Sequence, residues 1–291
     1  DIGLPLPLIV SFFEDCYKLL SANLLRLKKS VLFWGTLALS FGFGVLMCAI
    51  RFREHLAYHF EVSLNSVFFG FAMVVGVVMA AFIPLFFGTE YSDGAIRNKL
   101  IVGHSRVCVY FANLIASLGA AVVFSAAYLL ACIAVGIPLI GGLNLPAAAT
   151  AAALGGSLVM TAAYCAIFTF ITMTCSKKSA SAVACLLGVF LLLAAAITTL
   201  SMLDAPEFIQ GYEMSIDGQV APAKPEPNPA YLTGMKREVY QFLYDLMPTG
   251  QGIQYSNVNF TNPLRLMGLS AAVAVLFTGA GAALFRRKNL K

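Results

Sequence analysis

Long uncharged runs alternate with shorter polar segments along this chain of 291 residues. Each run is long enough to cross the apolar core of a membrane as a helix, which requires roughly 20 residues. No Asp, Glu, Lys, Arg or His lies in the apolar core of any run. The pattern therefore predicts an all-α integral membrane protein. Its six predicted transmembrane helices lie at about 31–50, 64–88, 107–133, 149–174, 180–202 and 266–285.

A helical pattern with one apolar face and one charged face precedes the first span. It predicts a helix over 11–29, with Ser11 and Glu14 as an N-terminal capping box. An apolar face that leads directly into a span favours a helix lying in the lipid headgroup region. We therefore divide the chain into an N-terminal interfacial helix within 1–30 and a six-span domain over 31–291.

The longest polar segment, 203–262, follows the fifth span. Its first half is rich in Pro, Gly and Glu, and we expect it to be irregular. In its second half, Asn228 is a predicted helix cap, and Pro229 fits the first turn. An apolar face then continues at helical spacing as far as Pro248. We expect this amphipathic helix to pack against the ends of the spans.

A shorter polar segment, 89–106, separates the second and third spans. Ser92 or Asp93 can cap the start of a helix, and apolar residues recur at helical spacing after them. Gly103 is suited to the left-handed conformation that often ends a helix. The segment is therefore either an ordinary polar loop or a short capped helix from Asp93 to Gly103, and its residues alone leave both alternatives open.

The basic residues are concentrated beside one set of span ends. If the six spans alternate in direction, thirteen of the 19 Lys and Arg residues lie on the same side as both chain ends. Because cytoplasmic loops are enriched in basic residues, both termini and 89–106 are expected to be cytoplasmic. Arg51 and Arg53 argue against this topology, although Glu54 and Glu61 are available to pair with them. The six basic residues on the opposite side are Arg51, Arg53, Lys224, Lys236, Arg237 and Arg265.

Several kinds of chemistry are disfavoured by what the sequence lacks. Spans without ionisable residues argue against an ion-coupled carrier, and also against an intramembrane protease or acyltransferase. The chain has no Gly-x-x-x-x-Gly-Lys-Ser/Thr loop, so we do not expect it to bind ATP itself. Glu54 precedes His55 and His59, whereas a zinc protease needs Glu directly after the first His. The net charge of +5 does not indicate nucleic-acid binding, because the basic residues form no stripe with interleaved aromatics.

The seven cysteines are not expected to form a disulfide framework. None lies in the longest polar segment, and none forms a Cys-x-x-Cys pair. No catalytic residue, metal site or cofactor site is therefore predicted in this chain. If the protein moves a substrate uphill, the energy must come from another polypeptide.

The order of these elements, together with one local motif, resembles a known family. Over nearly its whole length the chain resembles the permease subunit of a bacterial ATP-binding cassette exporter of the type-2 permease family. The most specific stretch lies after the second span, where the family has a Glu followed by a Gly-Thr-Ile/Leu-Arg run. This chain is similar to that pattern, with Ala95 where Thr is usual. That stretch is Glu90-Tyr91-Ser92-Asp93-Gly94-Ala95-Ile96-Arg97-Asn98-Lys99-Leu100. Two shorter pieces, 246–251 and 285–291, resemble the branch that exports peptide antibiotics and drugs.

The resemblance implies that 89–106 contains a coupling helix, which seats in a groove of a separate ATPase subunit that binds ATP and Mg. The helix would lie along the membrane surface, with Glu90 and Arg97 bracing its ends. Residues assigned to ATPase coupling on this basis are Glu90, Asp93, Gly94, Ile96, Arg97, Leu100, Lys177 and Lys178.

The resemblance also implies a pair of permeases, identical or related, in the bacterial cytoplasmic membrane. An amphipathic or hydrophobic substrate, such as a peptide, drug or lipid, would pass between them. Polar span residues that could line the route, or could instead hydrogen-bond one helix to another, are Asn65, Asn113, Ser117, Tyr128, Thr161, Tyr164 and Thr169.

Two other functions stay open at this point. The chain could be a non-transporting accessory or sensor subunit that binds a ligand through 203–262. It could also be an uncoupled channel, although the charged or carbonyl-rich filter segments of channels are not seen. A neighbouring gene for a cassette ATPase would favour the exporter over the accessory subunit.

Overall fold

A computed structural model describes residues 6–58, 63–214, 220–222 and 224–288 of the chain. A π-helical turn, Cys132–Gly136, joins the helix that ends at Ala131 to the one that begins at Ile137. The helices are, in chain order, α1 (Leu6–Lys29), α2 (Val31–Tyr58), α3 (Asn65–Phe68), α4 (Phe71–Phe87), α5 (Thr89–Ser92), α6 (Ala95–Ile101), α7 (Arg106–Ala131), α8 (Ile137–Ile140), α9 (Ala147–Thr174), α10 (Lys178–Leu203), α11 (Gly234–Leu246), α12 (Pro248–Ser256) and α13 (Pro263–Arg287).

Six helical segments of the described chain are long and apolar enough to cross a membrane, at the six places that the hydrophobic runs predict. The protein is thus an all-α, multi-pass membrane protein. The segments are Val31–Tyr58, Asn65–Ser92, Arg106–Ile140, Ala147–Thr174, Lys178–Leu203 and Pro263–Arg287.

The second, third and fourth spans form the centre of the bundle. At least half of the most apolar window of each is buried, whereas the first, fifth and sixth spans leave most of theirs exposed. Lipid or another membrane helix can cover the apolar side chains at the periphery without cost, because lipid tails are equally apolar.

Glycines let aromatic rings lie directly on helix backbones in this centre. A Cβ atom added at Gly76 on α4 would stand 2.6 Å from the ring of Tyr164 on α9. A Cβ added at Gly156 on α9 would stand 2.3 Å from the ring of Tyr255 on α12. Both tyrosines are almost completely buried. Small residues therefore serve close packing between helices of one subunit here.

Helix α1 is longer than its sequence pattern predicts. It is already helical at Leu6, so Ser11 lies inside the helix and the predicted capping box at Ser11 and Glu14 is wrong. Leu19, Asn23 and Leu27 are buried. Among the described residues, a single disulfide joins Cys16 to Cys108 at the start of α7, whereas the sequence led us to expect no disulfide framework. Helix α1 is therefore held against α7.

The end of α2 carries the two arginines that argue against the predicted topology. Arg51 forms an ion pair with Glu54, with its nitrogen 2.8 Å from the carboxylate oxygen. Glu61, the other predicted partner, and His59 lie outside the described residues. The Arg51 pair leaves less uncompensated positive charge on this side of the membrane.

Short strands replace the predicted irregular structure in part of 203–262. Strand β1 (Phe208–Ile209) pairs antiparallel with β4 (Glu226–Pro227), and β2 (Tyr212–Met214) pairs antiparallel with β3 (Val220–Pro222). Asn228 does not cap a helix, because its side chain closes a turn instead. It donates to the carbonyl of Pro206 at 2.9 Å and accepts from the amide of Ala230 at 2.9 Å.

Helix α11 begins at Gly234, later than the predicted start, and ends at Leu246 as the proline at 248 predicts. Its buried residues are Tyr244 and Asp245, whereas the apolar face predicted to pack on the spans is largely exposed, with Met235 80% accessible. Helix α11 does contact the fifth and sixth spans, as predicted, but through its other face, and helix α12 lies between the span ends. All of its residues from Pro248 to Ser256 are buried, against α4, α9 and α10.

We predict that Gly156→Ala destabilises the protein because the added methyl group overlaps the ring of Tyr255. The expected loss is about 1–3 kcal/mol, the usual range for overpacking a core. The adjacent variant Gly155→Ala is the control, since its nearest neighbour, Cε of Met267, is 3.4 Å away. The melting temperature of the purified protein in detergent checks this. Equal melting temperatures for the two variants would show that α12 does not pack tightly on α9.

Candidate functional site

Four segments of the chain meet at one end of the bundle. They are the end of α1, the polar hairpin 89–106, the turn between α9 and α10, and the end of α13, and we call this end the basic face. The opposite end, which carries 203–262, is the loop face. Because successive spans alternate in direction, the basic face is one side of the membrane and the loop face is the other.

The hairpin is a pair of short helices with a tight turn between them. Helix α5 continues the direction of the second span, and Gly94 then turns the chain with a φ of 69° before α6 begins. A residue with a Cβ atom would be strained in this left-handed conformation. The predicted helix within Asp93–Gly103 is present, but its predicted cap is wrong, because Gly94 precedes α6 and no side chain caps it.

The end of α6 follows the prediction more closely. Gly103 has a φ of 102°, and its amide donates to the carbonyl of Leu100 at 3.1 Å. The amide of His104 donates to the carbonyl of Lys99 at 3.2 Å. Ser105 then caps α7, since its hydroxyl accepts from the amide of Cys108 at 3.1 Å. Local hydrogen bonds therefore fix the end of the hairpin that leads into α7.

Glu90 is the centre of the site, because its side chain is completely shielded from solvent. Its Oε1 atom forms ion pairs with Arg26 of α1 and with Lys99 of α6, where Nζ lies 2.7 Å away. Its Oε2 atom accepts from the amide of Asn113 on α7 at 3.1 Å. One carboxylate thus joins the end of the second span to three other helices.

A second layer of polar side chains surrounds these ion pairs. Asn23 of α1 donates to Oδ1 of Asn113 at 2.7 Å. Arg26 also donates to the carbonyl of Phe86 at 3.2 Å, and its guanidinium lies 4.2 Å from the centre of the Phe86 ring. A buried charge is stable only when it is paired and hydrogen-bonded. The two cations and two asparagines satisfy this requirement, and we call this set the Glu90 cluster.

A separate set of contacts holds the end of α13 to the same face. Lys288 donates to the hydroxyl of Tyr91 and to the carbonyl of Met173, each at 3.0 Å. The hydroxyl of Tyr91 donates to the same carbonyl, and Arg106 donates to the carbonyl of Lys288. Burial lowers the pKa of Lys288 below its ordinary value. These contacts tie the end of α13 to α5, α7 and α9.

The residues predicted for coupling divide into buried and exposed groups. Ile96 is buried and Leu100 is half-buried, so they hold α6 against the bundle. Arg97 is exposed and forms no ion pair or hydrogen bond with any described residue, whereas Arg26 and Lys99 supply the bracing that we predicted for Arg97. Also exposed are Asp93 and Lys177, whereas Gly94 and Lys178 are half-buried.

Sequence reasoning missed three members of the Glu90 cluster, Asn23, Arg26 and Lys99. A signal for Asn23 is present in the sequence, since it is a polar residue on the same helical face as Leu19 and Leu27. No comparable signal exists for Arg26, because its partner is 64 positions away along the chain.

The polar span residues predicted to line a route lie mostly inside the single subunit. Asn65 is half-buried near the loop face, where it accepts from the amide of Asn144 at 3.1 Å. Tyr128 donates to the carbonyl of Val67 at 2.8 Å. The buried members of the set are Asn113, Ser117, Tyr128, Thr161, Tyr164 and Thr169.

Two of the hydroxyl groups among them bond to their own helices. Ser117 donates to the carbonyl of Asn113 at 2.8 Å, and Thr161 donates to the carbonyl of Ser157 at 2.7 Å. Thr169 of α9 lies 3.5 Å from the hydroxyl of Ser117 on α7. Tyr164 packs on Gly76. None of these contacts tests whether the residues line a route, so that role stays a prediction.

Comparison with known proteins does not identify a family. No protein-family model matches the chain, and no curated protein is significantly similar to it. Within the described residues, no group of three His, Cys, Asp or Glu side chains is placed to hold a metal ion. The motif at 90–100 and the contacts of the basic face are therefore the features that bear on function.

We predict that Glu90→Gln destabilises the protein by about 2 kcal/mol, the scale of hydrogen bonds to charged groups. The substitution keeps the shape of the side chain but removes the charge that Arg26 and Lys99 share. Thermal unfolding in detergent measures the effect. Glu14→Gln is the control, because Glu14 is an exposed carboxylate on α1. A Glu90→Gln protein as stable as the control would contradict a structural role for this charge.

Proposed function

We propose that this chain is the permease subunit of an ATP-binding cassette exporter, and that 89–106 is the contact through which a separate ATPase subunit drives it. The observation that carries the proposal is the buried carboxylate of Glu90 within the motif 90–100. An ordinary loop between two spans has no need of such a group. A segment that must transmit force from another subunit does need to be held rigidly to several spans.

The geometry of α6 supports this role. Its inner face is fixed by Ile96 and by the pair between Lys99 and Glu90. Its outer part presents the exposed cation Arg97 and two apolar side chains, Ile101 and Val102, which are 75% and 77% accessible. A mixed apolar and basic surface on a rigid support is suited to contact with another protein, because arginine and desolvated apolar groups often dominate interface energies.

In this proposal the basic face is cytoplasmic, and α1 is the interfacial elbow helix beside the coupling helix α6. The Cys16–Cys108 disulfide lies at this face and is unusual for that compartment, because cytosolic thiols are normally kept reduced. The distribution of Lys and Arg supports that orientation under the positive-inside rule. Lys177 and Lys178 would flank the coupling contact. ATP and Mg would be bound by the partner, since this chain has no phosphate-binding loop.

A second permease, identical or related, would complete the route in a bacterial cytoplasmic membrane. The exposed apolar surfaces of the first, fifth and sixth spans are available for that partner and for lipid. The substrate would be amphipathic or hydrophobic. Rocking of two rigid permeases against each other is a known kind of domain motion, and it requires the firm attachment that the Glu90 cluster supplies.

The proposal requires a cassette ATPase, which we expect to be encoded beside the gene for this chain, and the test is co-expression of the two. We expect Ile101→Asp and Arg97→Ala to lower substrate-stimulated ATPase activity and transport at least about tenfold, the effect of losing one strong interface contact. Met235→Asp is the control for a charge placed at an exposed apolar site, because Met235 lies on the loop face and is 80% accessible. Membrane insertion should survive in all three variants.

Replacement of both Glu90 and Arg97 gives the strictest form of the same test. A complex that assembles and transports fully with both residues replaced would overturn the coupling role of the hairpin. Loss of transport with Met235→Asp as well would show that the effect is not specific to the basic face.

A cavity at the loop face favours the accessory subunit as a second candidate function. It has a volume of about 320 Å³ and is lined by polar groups that include Asp204, Arg237 and Arg265. Asp245 in its wall accepts from Gln241 at 2.9 Å and pairs with Arg265 at 3.3 Å. Burial raises the pKa of the neighbouring Tyr244 to about 12. Ligand binding to the purified chain, without any effect of an ATPase, would favour this function.

A further inference from the structure

A groove of about 480 Å³ opens on the basic face where three spans reach the same side of the membrane. The three are the start of α2, the end of α4 and the start of α10. Arg26, Lys29 and Lys178 contribute cationic side chains to the groove, and Leu32, Leu85 and Phe86 contribute apolar ones. The groove therefore combines positive charge with an apolar wall at the level where spans emerge from the membrane.

The two lysines of the groove are not neutralised by nearby carboxylates. Lys29 and Lys178 form no ion pair within the described chain, and neither does Lys177, which lines an adjoining groove that also includes Lys178 and Leu85. Arg26 is paired with Glu90 but remains 34% accessible. Unpaired lysines that face one groove raise the local positive potential, so the groove favours an anionic ligand.

Arg26 has donors to spare for such a ligand. A guanidinium carries five N–H donors, and the described contacts of Arg26 are with Glu90 and with the carbonyl of Phe86. Arginine also suits phosphate, because its planar fork donates two parallel hydrogen bonds. Arg26 can therefore hold Glu90 on one side and a phosphate oxygen on the other.

Packing against Gly88 fixes the position of the Lys178 side chain in the groove. A Cβ atom at Gly88 would stand 3.2 Å from Cγ of Lys178 and 2.2 Å from the carbonyl oxygen of Pro84. The absence of a side chain at Gly88 thus leaves room for the stem of Lys178 to lie over the end of α4. This contact holds Lys178 across from α1, where Arg26 and Lys29 lie.

We propose that this groove is a binding site for the phosphate headgroup of an anionic membrane phospholipid. Arg26, Lys29 and Lys178 surround the phosphate, and the acyl chains continue along Leu32 and Leu85. The apolar wall is the reason for choosing a lipid over a free phosphate ion, which gains nothing from apolar contact. The site does not depend on the proposed export function, although a lipid bound to Arg26 would also contact the Glu90 cluster.

The test uses the full chain purified in a neutral detergent. Native mass spectrometry with added dioleoylphosphatidylglycerol or dioleoylphosphatidylcholine gives the affinity for each lipid. We expect phosphatidylglycerol to bind at least about tenfold more tightly, and the double variant Lys29→Gln/Lys178→Gln to bind it roughly thirtyfold more weakly than the original chain, as expected from removing two basic charges beside an anionic headgroup.

The matched control is Lys18→Gln/Lys28→Gln, which removes the same charge from exposed positions of α1 that do not line the groove. We expect it to change phosphatidylglycerol binding less than about threefold, since exposed charges farther away are screened. Equal losses in the two double variants would overturn the proposal, because attraction would then come from the general surface charge. Equal binding of the two lipids would overturn it as well.

Two further outcomes would assign the groove to another occupant and so contradict the proposal. Displacement of phosphatidylglycerol by millimolar inorganic phosphate would mean that the site recognises free phosphate. A groove variant that keeps its lipid affinity but loses affinity for the ATPase or for a second copy of the chain would mean that the groove is a protein contact.

Discussion

A carboxylate removed from water at the end of a transmembrane helix is stable only when cations and amides surround it. Glu90 obtains those partners from α1, α6 and α7, so its burial draws three separate parts of the chain together. Removal of one partner from such a cluster leaves the others with unsatisfied hydrogen bonds, and the cluster therefore acts as a unit. The rigid attachment of the hairpin 89–106 depends on this constraint.

The remainder of the bundle supports the same end of the molecule. Tyr91, next to Glu90, is held by Lys288 and by the carbonyl of Met173, so the chain end and the fourth span fix the hairpin from its other side. The tight packing of Tyr164 on Gly76 keeps the second and fourth spans at a fixed distance. A displacement of α6 would consequently be passed to several spans together, which is the mechanical property that the proposed coupling requires.

The sequence predicts the spans well and the polar contacts poorly, for a physical reason. An uncharged run of span length has few alternatives to a membrane helix, so the six spans follow from composition. Helix α12 cannot be predicted from composition, because Pro248–Ser256 is polar and rich in small residues. Only its packing between α4, α9 and α10 explains its burial. Asn228 is a good helix cap by propensity, but a tertiary contact with Pro206 takes its side chain. Within the candidate site, the motif at 90–100 predicts a role for Glu90. Arg26 could not be predicted as its partner, because only the fold brings α1 beside the hairpin.

Hydrogen exchange at the backbone amides of α6 tests the central claim most directly, because exchange reports local opening of the hairpin. We expect slow exchange at the amides of 98–102 in the original chain, since their hydrogen bonds open only when α6 leaves the bundle. In Glu90→Gln the same amides should exchange roughly thirtyfold faster, which corresponds to about 2 kcal/mol of lost local stability. Unchanged exchange in α6 would contradict the claim that the buried charge of Glu90 holds the hairpin in place.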